Sequence, residues 1–362
     1  MNDYRQHMVH TLRQAGYFSV LTGIQHVASK PEIIGYDQIL PAPLDKQGSN
    51  PHTSAIEFLR SRPPQPFFLD VGFGETHRVA DHFHPQPPGE SKTDPRFVNV
   101  PAPLPDTAET RRDMAAFMDD ARTLDWKAGQ VLEELDAQGL TGNTIVICTT
   151  DHGIAFPSMK CNLTVHGTGV LLIMRGPGGF CGGKVSDALV SQVDILPTIC
   201  ELLGIEKPAW LQGRSLMPLL RGETEEINDH IFAEVTYHAA CESMRSVRSK
   251  RYNYIRRYGD RRRPVLPNVD DSPSKSVWVK HGWRDRELPE EELYDCLFDP
   301  CERHNIIHEP SMAGVRATMR GVLDDWMRRT DDPLLNGAIP LVKGAKVNDP
   351  NGDSPCEPIC TL

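Results

Sequence analysis

Between Thr107 and Gly153 the chain carries the pattern that most restricts its fold. Met114, Phe117, Met118, Ala121, Leu124, Ala128, Val131, Leu132 and Leu135 recur at helical spacing, and Gly139 stops the run. After the turn Leu140-Thr141-Gly142-Asn143 comes Ile145-Val146-Ile147-Cys148-Thr149, apolar and β-branched without alternation, as expected of a parallel strand buried on both faces. It ends abruptly in Asp151-His152-Gly153. A long helix entering a short buried strand through a tight turn is the building unit of a doubly wound α/β sheet, where strand carboxyl ends deliver side chains into a cleft. Asp151 and His152 are therefore candidate metal ligands. Gly153 permits a sharp turn beside them, and Lys160 brings a cation to the same cleft. Asp, His and Lys together suit an anion held against a metal.

Other segments end in the same way. A helical pattern through Tyr4, Met8, Leu12 and Ala15 leads to an apolar run, Tyr17 to Thr22, with His26 just beyond it. The run Tyr17 to Leu21 reads as an interior strand that needs neighbours. Ala55 to Ser61 predicts a short helix, and Phe67 to Phe73 a buried strand that stops at Gly74-Glu75-Thr76-His77-Arg78. The proline-rich stretch from Ala80 to Pro105 keeps no period and predicts an excursion at the cleft rim. Val170 to Met174 predicts another strand, and Ser191 to Gly204 a helix with Pro near its start. Past the acidic stretch Gly222 to Asn228, four strands (Ile231–Val235, Met244–Val247, Tyr252–Ile255, Glu292–Phe298) follow without intervening helices. That order predicts an antiparallel sheet, with a helix over Val315–Met327 packed on it. The expected architecture is α/β: a mostly parallel sheet flanked by helices over residues 1–225, a smaller antiparallel α+β domain over 226–330, and a loosely ordered tail over 331–362.

Composition excludes several classes of function. The 362 residues hold 39 basic against 49 acidic side chains, a formal charge of −10, which argues against nucleic acid and acidic membranes as partners. No apolar run approaches the ~20 residues that span a bilayer. The polar start Met-Asn-Asp-Tyr-Arg is not a secretory signal, so the sequence as written is expected in the cytoplasm. Nine cysteines without a Cys-x-x-Cys point to free thiols rather than a disulfide framework. Cys296, Cys301, His304 and His308 lack the long spacer of a zinc finger, and the residues around them read as a strand running into a turn. Oligomeric state leaves no signal in the sequence.

Taken in order, Thr149-Thr150-Asp151-His152-Gly153, Lys160, Val193-Asp194-Ile195-Leu196-Pro197-Thr198, Gly204-Ile205, Gly213-Arg214-Ser215-Leu216, Leu293-Tyr294-Asp295 and Asp299-Pro300 resemble the type I sulfatases of the alkaline phosphatase superfamily. The likeness runs over almost the whole chain. Ile154 to Pro157, Glu234-Val235-Thr236 and Met244-Arg245-Ser246-Val247-Arg248 resemble the sulfamidase, or heparan N-sulfatase-like, branch. The resemblance implies an alkaline phosphatase-like fold and a hydrolase of sulfate esters or sulfamates, with sulfated sugars as the substrate class. It implies a divalent cation, calcium, with zinc or manganese as the alternative. It assigns Asp151 and His152 to the later pair of metal ligands and Lys160 to the base that contacts sulfate. His77 takes the place of the substrate-side histidine, and His26 that of the histidine in a Gly-Lys-x-His motif.

The physical chemistry agrees with these roles, because negative charge moves to the leaving oxygen as a sulfate ester breaks, and a metal with Lys and His donors stabilises that shift. The sequence also departs from the family. Ile24 replaces the Lys before His26, Thr164 a frequent Tyr, and Val170-Leu171 a polar residue and Pro. The family's formylglycine, made from the Cys of Cys-x-Pro-x-Arg, and its first two Asp ligands are expected upstream of the matched part. The reading is therefore of an N-terminally shortened chain. Cys241-Glu242-Ser243-Met244-Arg245 only mimics that motif, since Met244-Arg245 already has a family counterpart in the second domain. Two rivals stand beside the sulfatase reading: a phosphodiesterase or phosphonate hydrolase of the same superfamily, favoured by the nitrogen ligand His152, and a catalytically inactive anion-binding protein.

Overall fold

The computed structural model describes residues 3–45, 48–340 and 343–361. Its central sheet is parallel: β1 (Phe18–Gly23) lies between β2 (Gln38–Leu40) and β3 (Phe67–Gly72). β1 and β3 run in register from Phe18↔Phe67 to Gly23↔Gly72, so they end level. The level ending depends on glycine. A Cβ on Gly72 would stand 1.8 Å from the Ile24 carbonyl oxygen, and one on Gly23 would stand 2.0 Å from that of Gly72. The Ile24 N–H instead donates to the Gly72 carbonyl at 2.9 Å. The loops that carry His26 and His77 consequently leave from the same end of the sheet.

Two helices, α1 (Pro51–Arg60) and α2 (Ala108–Ala137), supply the apolar side chains that cover this sheet. Val20, Phe58, Leu59 and Leu135 are buried together, with Phe67, Leu69 and Val146 packed against them. Each such side chain contributes about 1.5–3 kcal/mol by leaving water. The long helix starts at a reciprocal cap: the Thr110 N–H donates to Thr107 Oγ1 at 3.3 Å and the Thr107 N–H to Thr110 Oγ1 at 3.0 Å. Its buried side is partly polar. Asp113, Asp119, Asp120 and Lys127 are buried, while Met118, expected on the apolar face, is 38% exposed.

The strand expected at Ile145–Thr149 forms as β4 (Val146–Thr149), but it is not a parallel strand buried on both faces. It pairs antiparallel with β5 (Leu172–Arg175) from Val146↔Arg175 to Thr149↔Leu172, in a sheet of two strands. Cys148 and Thr149 are exposed. The β-branched run reflects strand propensity here and not burial on both faces, since the adjacent Cys148 and Thr149 point to opposite faces and both meet solvent.

Four antiparallel strands, β6 (Ile231–Tyr237), β7 (Cys241–Arg248), β8 (Tyr252–Arg257) and β9 (Glu291–Asp295), lie in the order β9-β8-β7-β6. A helix, α3 (Ala313–Arg329), sets Met319, Leu323 and Met327 four residues apart against Val247, Tyr254 and Leu293. Trp326 stacks on Phe232 at 4.8 Å. Residues 331–361, for which composition predicts loose order, make specific contacts where they are described. Asp332 pairs with buried Arg245 at 2.6 Å, and Lys346–Val347 pairs antiparallel with Cys360–Thr361.

Candidate active site

The side chains singled out in the sequence do not all meet. Lys160 is buried, 3% exposed, and its ammonium donates to Asp270 Oδ2 at 3.0 Å. Burial pushes the Asp270 carboxyl up, but the charge and hydrogen bond of Lys160, helped by His77 and His238, outweigh it and hold the group below its usual range. His238 closes the turn between β6 and β7. Desolvation first, then the Lys160 charge, and lesser repulsion from His152 and His77, pull its pKa down to about 4. Electrostatics thus joins Lys160, Asp270, His238, His77 and His152 in one site, supplied by the loop after β3, the segment after β4, the hairpin between β6 and β7 and the segment after β8.

Each group is held by local structure. Gly153 lets the chain pass close: its N–H donates to the Gly167 carbonyl at 2.8 Å, and a Cβ there would stand 1.9 Å from the His166 carbonyl oxygen. The His152 Nδ1–H donates to the Gly153 carbonyl at 2.6 Å. That bond leaves Nε2 as an acceptor, 3.7 Å from Asp151 Oδ2. Exposed His77 bonds through Nδ1 to the Arg78 carbonyl at 2.8 Å. Arg78 fixes this loop: it makes a buried two-pronged bond to Asp113, at 2.7 and 3.0 Å, and stacks on Phe83 at 4.0 Å. His26 is exposed in the loop after β1, and its side chain makes no hydrogen bond or ion pair among the described residues.

Asp151 and His152 offer one oxygen and one nitrogen, which fits two positions around a divalent cation. A third protein ligand does not join them among the described residues; the one group of three there that could hold a metal is Glu75, His84 and Asp120. Cys296 bonds weakly to Glu302 at 3.5 Å, and burial pushes its thiol up to about 12. His304 lies exposed beside Asp299, so the cysteines and histidines of that segment form no metal site among the described residues. Cys241 donates to the Thr236 carbonyl at 3.6 Å, and Arg245 is committed to Asp332 and Glu234. The mimic of the nucleophile motif is a piece of the antiparallel sheet.

His238 and Asp270 were missed by sequence reasoning. His238 sits in the hairpin directly after β6 and Asp270 in the segment after β8, both in the part expected to be antiparallel, whereas only the carboxyl ends of parallel strands were expected to carry site residues. The adjacent acids Asp270-Asp271 amid Val265 to Val269 were the one local oddity available.

Comparison with known proteins bears on the family and the fold. A family profile described as Sulfatase matches residues 51–205, and one described as N-sulphoglucosamine sulphohydrolase, C-terminal, matches residues 166–280. The N-sulphoglucosamine sulphohydrolase of Homo sapiens is 31% identical over 325 residues, which cover 77% of this chain and 64% of that protein. An ulvan-active sulfatase of Formosa agariphila is 28% identical, with 94% of this chain and 67% of the relative covered. Another ulvan-active sulfatase of that organism is covered over only 51% of its length, so the chain spans about half to two thirds of these relatives. A solved 2-O GAG sulfatase shares the fold with a TM-score of 0.65 at 22% identity, covering 90% of this chain and 74% of that one. A protein solved in complex with its substrate D-glucosamine-2-N,6-O-disulfate does so at 0.63 and 18%, covering 89% and 82%. With two adjoining profiles, relatives along most of its length and the same fold, the chain belongs to the sulfatase family.

Proposed function

We propose that this chain carries the sulfate-holding part of a sulfatase site for sulfated saccharides, sulfate esters or N-sulfates. The observation that carries the reading is the buried Lys160–Asp270 pair facing His77, His152 and His238. Lys160 offers a desolvated ammonium whose direction is fixed by Asp270, which suits one face of a sulfate dianion or its ester. His77 stands exposed at the strand end, where it can give or take a proton at the leaving oxygen. His238, neutral across the physiological range, offers a hydrogen bond without adding charge. A metal at Asp151 and His152 would polarise the sulfate oxygens as a Lewis acid. Calcium prefers six to eight oxygens, so the nitrogen of His152 supports zinc or manganese as the alternative. The names of the relatives, which act on N-sulphoglucosamine and ulvan, support the saccharide class.

The reading is tested by binding before turnover, because the 362 residues contain no Cys-x-Pro-x-Arg. Titrating heparin disaccharides that carry N-sulfate into the chain is expected to give saturable binding that Lys160→Ala abolishes and that unsulfated disaccharides do not show. Equal binding of the unsulfated sugar, or full binding by Lys160→Ala, would remove Lys160 from the site and the proposal with it.

A further inference from the structure

Behind the His77 loop lies a second cluster that the sulfatase reading does not use. Glu75, His84 and Asp120 each bring one ligand atom to within 4.8 Å of the other two. Glu75 belongs to the loop after β3, His84 to the proline-rich excursion and Asp120 to α2. Both acids are buried, 7% and 0% exposed. Lys127, also buried, bonds Glu75 Oε1 and the Ser49 carbonyl. The other oxygen, Glu75 Oε2, has no hydrogen-bond partner, and neither does Asp120 Oδ1. A buried oxygen without a hydrogen bond is costly, so each calls for a partner.

A simple His84–Asp120 ion pair fits poorly. His84 Nδ1 stands 3.2 Å from Asp120 Oδ1 and 3.5 Å from Oδ2, whereas a charge-assisted N–H···O bond closes to about 2.7–2.9 Å. Two ligands about 2.0–2.1 Å from a tetrahedral metal stand about 3.3 Å apart, which is close to the Nδ1–Oδ1 separation. We propose that Glu75, His84 and Asp120 form a divalent transition-metal site, with zinc as the best match. The two orphan oxygens and the imidazole nitrogen supply three ligands and water the fourth. Lys127 holds the first oxygen of Glu75 so that the second faces the metal. His84, with 12% of its side chain exposed, is the entry point. The metal would staple the excursion to α2 just behind His77, where it sets the rim of the cleft.

The experiment uses the full chain, stripped with chelator and titrated with Zn2+ by calorimetry. Wild type is expected to bind Zn2+ with one equivalent that His84→Ala and Asp120→Asn each weaken on the order of 100-fold. Circular dichroism of each variant checks folding. Should a variant misfold, Co2+ added to the wild type is expected to give the intense visible absorption of a four-coordinate site. Absence of Zn2+ binding by the folded wild type, of that Co2+ absorption, or of any loss in the His84 and Asp120 variants overturns the proposal. Binding lost only in Asp151→Asn also overturns it, while supporting a metal at the strand-end pair.

Discussion

Replacing Lys160 by Met removes one half of a buried ion pair and leaves the other in place. At 3.0 Å and an effective dielectric of ~20, the direct attraction is roughly 5–6 kcal/mol, most of it offset by the desolvation of two charges. Stranding the partner of a buried pair costs about 3–5 kcal/mol. Asp270 keeps 15% of its side chain exposed and can take up a proton, so the low end of that range, about 3 kcal/mol, is expected. For a chain of this size that loss lowers Tm by roughly 3–4 °C. The pH dependence carries the sharper signature. In the wild type the Asp270 pKa is depressed, so its contribution is present above the usual carboxylate value and is lost as pH falls through the lower folded one. In Lys160→Met burial raises it instead, so the deficit is expected to be larger at pH 8 than at pH 5. Adding Asp270→Asn removes the stranded charge, and the double variant is expected to regain much of the loss. Urea unfolding of the four proteins at both pH values reads all of this. A deficit independent of pH, or a double variant as unstable as the sum of the single ones, would refute the pairing.

The remaining expectations concern the site and the sheet edges. His238 should titrate near 4 rather than near the usual ~6.5, so its neutral form favours the fold, and that contribution is lost as pH falls between the two values. In Lys160→Met its midpoint should rise, which histidine NMR resolves; an unchanged midpoint would place Lys160 too far away to act on the ring. The 362-residue chain should show no appreciable aryl sulfate turnover, and turnover that Cys241→Ala removes would reinstate that cysteine as a nucleophile. Asp151 and His152 should hold calcium only weakly, and tight stoichiometric binding lost in Asp151→Asn would mean that other residues complete the shell. Leu171 and Ile173, 43% and 57% exposed beside β4, should promote self-association that Ile173→Lys reduces in light scattering; a monomer at all concentrations contradicts this.

Local patterns in the sequence carried the elements well where burial decided them. The helix from Thr107, the strands at Phe18 and Phe67 and the antiparallel strands formed within a few residues of expectation, because apolar spacing and glycine stops are local signals. Pairing is not local, and β4 illustrates the difference. An unbroken β-branched run fits a strand between two parallel neighbours and an antiparallel ribbon equally well, and only the partner at Leu172–Arg175 separates them.

The site follows the same division. Lys160, His77 and His152 were legible because strand ends deliver side chains into a cleft, whereas His26, read in the same way, makes no side-chain bond there. His238 and Asp270 were not legible, since they come from the antiparallel part of the chain, more than 70 residues beyond Lys160, where strand ends were not expected to meet the cleft. The long helix holds the most instructive case. Periodicity placed Met118 in the core, where the structure leaves it 38% exposed, while its neighbours Asp119 and Asp120, which no pattern singled out, are buried. Polar groups can be buried on a helix only where another segment meets them. Asp119 receives the Thr93 N–H at 2.9 Å, Asp113 receives Arg78, and Lys127 meets Glu75. Those partners come from the loop after β3 and from the proline-rich excursion, the parts of the sequence without a period. The stretch that read as featureless is therefore seated on α2 by buried charges, and it is through those charges that the His77 loop is held in place.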